Sequence, residues 1–89
     1  MDNALNEIIG KIIVGYVFDS HFVINQLLKN HSDAYFEFAK NYNSPNIART
    51  MHAVIGRKID ALNCVEQIGK FLSENIHANI SECTCWKKI

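Results

Sequence analysis

Residues 64–89 read CVEQIGKFLSENIHANISECTCWKKI, and the conformation of this stretch decides the fold. Val65, Ile68, Phe71 and Leu72 recur at helical spacing, which predicts a helix over 64–75. Asn63 followed by Glu66 resembles a capping box with Asn in the Ser/Thr position. NIHANI, residues 75–80, shows no strong periodicity. Ser81 and Glu82 then open a short terminal helix, or residues 76–89 form a small β-hairpin. The last ten residues hold two cysteines and the only tryptophan. Trp is highly buried on average, so Trp86 reads first as a core plug and second as an anchor for a partner.

Working outward, helical periodicity dominates the rest of the chain. Leu5, Ile8, Ile9, Ile12, Ile13 and Tyr16 predict a helix from about residue 3 to 17. Its β-branched run keeps a strand open as the alternative for 8–18. Asp19 or Ser20 suits the N-cap of a second helix over 21–30. Ser32 suits the cap of a third, over 33–42, with Phe36 off its apolar stripe. Ser44 as N-cap and Pro45 at the first helical position predict a fourth helix running to about residue 62. The expected fold is therefore mainly α. It is a compact bundle of four to five helices in a single domain, residues 1–89, with the C-terminal hairpin as the variant.

Composition narrows the function. The chain is 48% hydrophobic and 20% charged, against about 25% charged in ordinary globular domains. Surplus apolar side chains on so small a domain point to a covered surface. Formal net charge is zero, which argues against an interaction driven by bulk electrostatics. The second half is mildly basic: six cations stand against four carboxylates in 45–89, and three lysines against five carboxylates in 1–44. Three cysteines at uneven spacing form no disulfide framework. The start of the chain lacks a basic signal-peptide region, and the apolar run 8–18 is too short to span a bilayer. The expected setting is the cytoplasm, with no membrane association.

Three site readings follow. His77, Cys83, Cys85 and Cys64 are residue types that ligate zinc, but C-x-C is not the usual knuckle spacing. The thiols read more simply as small buried groups, and neither a metal nor any cofactor is assigned. A helix-turn-helix over 64–89 would set Thr84, Lys87 and Lys88 toward DNA, with Arg49, Arg57, Lys58 and Lys70 adding phosphate contacts. A C-terminal hairpin would recast that as a winged helix. Asp19-Ser20-His21 holds the residue types of a catalytic triad consecutively, where they cannot converge. No other catalytic motif is present, so no enzyme is expected. The leading expectation is a non-enzymatic protein-interaction module, self-associating through Phe36, Phe22 and Trp86. The alternative is a small helix-turn-helix or winged-helix DNA-binding regulator.

Overall fold

The computed structural model describes residues 1–42 and 46–89. The predicted Ser44 cap and Pro45 helix start lie outside the described residues. In chain order the elements are α1 (Asp2–Gly10), β1 (Val17–Asp19), α2 (Ser20–Asn30), α3 (Ser32–Ala39), α4 (Ile47–Asp60), β2 (Val65–Glu74) and β3 (Ile80–Lys88). The strands form one antiparallel sheet in the order β1-β3-β2. The architecture is thus α+β. The expectation of a mainly-α bundle is wrong, because Val65–Glu74 and Ile80–Lys88 are strands.

The predicted helix over 64–75 is β2. Val65 to Gln67 pair with Lys88 to Trp86, and Gly69 to Glu74 pair with Cys85 to Ile80. Between them Ile68 is an extra residue, a β-bulge. An inserted residue shifts every later side chain to the opposite face. Val65 and Gln67 therefore share a face with Lys70 and Leu72. The period-2 signal is broken at its centre, and what remains imitates helical spacing. Gly69 supplies the backbone for this step, with φ of 139°, a region that L side chains seldom enter. The hairpin closes through Asn75. Its side-chain Oδ1 accepts from the backbone N–H groups of His77 and Asn79, while Ala78 takes a left-handed φ of 61°.

The first helix is also shorter than predicted. It ends at Gly10, and Ile13 and Tyr16 are exposed where the periodicity placed them inward. The chain turns through Gly15 at φ 95° and enters β1, which overlaps the strand alternative for 8–18 only at residues 17 and 18. The C-terminus of α1 is closed from far along the chain. Lys88 is buried, and its Nζ donates to the carbonyls of Ile9 (2.6 Å) and Ile12 (3.1 Å). A cation among the last carbonyls of a helix satisfies both their lone pairs and the helix dipole.

The expected caps are realised in part. Asp19 caps α2, accepting from the Phe22 N–H at 2.7 Å. Ser32 is the first residue of α3 and not its cap, a position taken by His31. The core lies between the helices and one face of the sheet. Leu27, Ile55, Ile59 and Val23 meet Trp86 there, and all five are fully buried. Phe18 of β1 lies beside Trp86 with ring centroids 5.7 Å apart. No helix among the described residues is long and apolar enough to cross a membrane.

Candidate nucleic-acid interface

Helix α4 buries Met51, Ile55 and Ile59 on one stripe. That burial fixes the opposite stripe. Arg49, Thr50, Ala53 and Arg57 are exposed, spaced so that they share one side of the helix. No Asp or Glu occurs from Phe38 through Ile59, a span that contains Lys40, Arg49, Arg57 and Lys58. Asn46 begins the helix, its side chain accepting from the Arg49 N–H at 3.4 Å.

The hairpin stands alongside this helix, and two clefts separate them. One, of about 470 Å³, is lined among others by His21, Arg49, His52, His77 and Glu82. The other, of about 350 Å³, is lined among others by Ala53, Arg57, Asp60, Lys70 and Thr84. His52, Ser20 and Glu82 border both, so the clefts form one concave strip. Three permanent cations, Arg49, Arg57 and Lys70, face two carboxylates. One of these, Asp60, already accepts from the Trp86 indole N–H at 2.6 Å.

Histidines add a titratable layer. His52 shares a 2.8 Å hydrogen bond with the Tyr35 hydroxyl through Nε2. Burial, with smaller contributions from His77 and His21, holds its pKa below the ordinary histidine value. Burial likewise raises the Tyr35 phenol, so the Tyr35 O–H stays protonated. His21 Nε2 lies 3.3 Å from Ser81 Oγ, and its buried Nδ1 has no hydrogen-bond partner. Of the consecutive Asp19-Ser20-His21, Asp19 caps α2 and His21 reaches Ser81.

The other cations of the DNA reading do not join this strip. Lys58 bonds Asp2 at 2.9 Å and lies 5.9 Å from the Phe38 ring centroid. Lys87 is exposed on the far face of the sheet, beside Val17 and Glu66. Lys88 points inward to α1. A terminal recognition helix with Thr84, Lys87 and Lys88 on its DNA side does not exist, because residues 80–88 are a strand.

Of the protein-interface candidates, Trp86 is wholly inside the core and offers nothing to a partner. Phe36 is exposed on α3, with its ring edge-on to Tyr35. Phe22 is partly exposed on a separate apolar groove of about 420 Å³, which also involves Ile13, Tyr16 and Val17. Of the metal candidates, His77 lies at the exposed hairpin turn and Cys64 in the α4–β2 connection. Among the described residues, the His, Cys and acidic side chains whose ligand atoms lie mutually within 4.8 Å are Cys83, Cys85 and a residue the sequence reading passed over, Asp19.

A scan against protein-family models, a search of curated proteins and a search of solved structures each find no match.

Proposed function

We propose that the chain binds duplex DNA as a winged helix, with α4 as the reading helix and the β2–β3 hairpin as the wing. The observation that carries this is the pairing of the Arg-bearing stripe of α4, whose one carboxylate is Asp60 at its last residue and bonded to Trp86, with a hairpin that sets Lys70 beside it. In helix-turn-helix proteins the second helix lies in the major groove with its N-terminal residues at base edges. Here that helix is preceded by α3 and leads into the hairpin. Arg49, in its first turn, is placed for bidentate contact with a guanine. Thr50 follows, with a methyl group suited to thymine. Ala53 and Gly56 keep the middle of the helix low, and Arg57 and Lys70 take phosphates on either side of the cleft.

The test is fluorescence anisotropy of a labelled mixed-sequence duplex at about 50 and about 200 mM salt. Micromolar binding that weakens with salt supports the reading. Arg57→Ala and Lys70→Ala each reduce the log–log salt slope by about 1. No binding at the lower salt, or undiminished binding by an Arg49→Ala/Arg57→Ala/Lys70→Ala chain, refutes it.

A second reading accompanies the first: self-association. Ile13, Val14, Tyr16 and Val17 are each more than half exposed, next to Phe22. Three cations release few counterions, so one copy holds DNA weakly. Two copies joined at this groove would present two α4 helices, as helix-turn-helix dimers do. Val17→Asp tests the groove by sedimentation and Phe36→Asp tests the α3 surface. A mass unchanged by either, or monomeric wild type, excludes the corresponding interface.

A further inference from the structure

Cys83 and Cys85 are two residues apart on the central strand, so both point to one sheet face, opposite to that of Trp86. Asp19 sits directly opposite Cys85 across the β1–β3 ladder. The two Sγ atoms and a carboxylate oxygen of Asp19 lie within 4.8 Å of one another, with both thiols buried. Ligand atoms around a tetrahedral zinc are about 3.5–3.8 Å apart, given metal–sulfur bonds near 2.3 Å. Small side-chain rotations therefore separate this arrangement from a coordinating one. Ser73, Ser20 and the backbone N–H of His21 lie near the Cys83 sulfur and partly offset the effect of its burial. Donors to a ligating sulfur orient it and support its anionic form.

The three groups repel one another as anions. Burial first, and then the charge of Asp19, push the Cys83 thiol up. Burial, then Cys83 and Asp19, do the same to Cys85.

We propose that Asp19, Cys83 and Cys85 form a binding site for a thiophilic divalent cation of the zinc type. Each thiol gives its proton to buffer as its sulfur–metal bond forms, and Asp19 adds one oxygen. Solvent completes the tetrahedron. Asp19 can serve both purposes, since one of its oxygens caps α2 and the other is available to the metal. The site does not rest on the DNA reading, although Ser20 and Cys83 also border the cleft beside Arg57 and Lys70.

The experiment is titration of the reduced full chain with Co²⁺, followed by the thiolate-to-cobalt charge-transfer absorption and by competition with Zn²⁺. The expected result is one equivalent bound, with the absorption displaced by Zn²⁺ and two protons released. Cys83→Ser and Cys85→Ser abolish the absorption, and Cys64→Ser leaves it intact. Ser73→Ala removes a hydroxyl near the Cys83 sulfur and weakens affinity by about tenfold. Asp19→Asn retains a good N-cap residue, so the fold persists while affinity falls. Circular dichroism checks folding in every variant. Absence of charge transfer at equimolar Co²⁺, its survival in both Cys→Ser variants, or its loss in Cys64→Ser overturns the proposal. Affinity unchanged by Asp19→Asn and Ser73→Ala overturns it equally, leaving an adventitious ion only.

Discussion

The indole N–H of Trp86 donates to the Asp60 carboxylate across 2.6 Å, and this bond ties the end of α4 to the central strand. Trp86 is fully buried, so its N–H has no water to fall back on. Asp60→Ala leaves that donor unsatisfied and should cost about 1–3 kcal/mol. Trp86→Phe removes the donor together with its partner's role and should cost less than Trp86→Ala, for which about 3–5 kcal/mol is expected. Urea denaturation of the three variants gives the ranking; equal midpoints for Asp60→Ala and wild type would refute the role of the bond.

Lys88 and Lys87 are neighbours with opposite roles. Lys88→Met retains the apolar stem and removes the donor to Ile9 and Ile12, so stability should fall by about 1–3 kcal/mol. Lys87→Met changes an exposed side chain and should stay within about 0.5 kcal/mol. Hydrogen exchange localises the first effect: the amides at the end of α1 should lose protection before those of α4. A uniform loss, or none, would argue against the helix-closing role. Lys88→Glu would likewise report on folding, not on DNA.

The lowered pKa of His52 sets a pH dependence of stability. The unfolded chain takes up a proton near the ordinary value of 6.5, while the folded chain resists protonation to lower pH. The unfolded state therefore binds more protons in that window. Stability is full above the unfolded value and is lost as pH falls through the folded one. His52→Gln should flatten the stability profile between roughly pH 6.5 and the folded pKa. An unchanged slope would refute the role of His52.

Gly69→Ala tests the bulge. A Cβ there would meet the Phe71 ring at 3.7 Å, an ordinary contact, so the cost comes from the backbone at φ 139°. About 1–3 kcal/mol is expected. Amide shifts in an NMR spectrum should cluster at 67–71 and 83–86, where the register steps. Shifts confined to residue 69 would mean that the bulge does not depend on glycine.

Much of the helical part was legible. The stripes Leu5-Ile8-Ile9 and Met51-Ile55-Ile59 face the core as their spacing required, and Asp19 caps α2. The sheet was not legible, for two reasons. The bulge at Ile68 removes the alternation that identifies a strand, and β1 is too short to show a period at all. The acid-free stretch from Phe38 to Ile59 was visible in the sequence and marks α4 without any structure. The Asp19–Cys85 pairing was not, because 66 positions in the chain separate residues that one ladder rung joins. Lys88 was misjudged because a lysine near the end of a chain ordinarily faces water, whereas here a helix C-terminus lies within its reach.

The strand order carries a consequence for how the protein comes into being. β3 is the middle strand and the last to be synthesised, and β1 and β2 touch the sheet only through it. As the chain leaves the ribosome, β1 waits without a ladder partner while some sixty further residues are added. The share of the core that Trp86 fills beside Leu27, Ile55 and Ile59 also waits for β3. Domains that fold from the N-terminus during translation bury surface as they grow; this one defers its core to residues 80–88. The sheet therefore cannot close before residues 80–88 have been added.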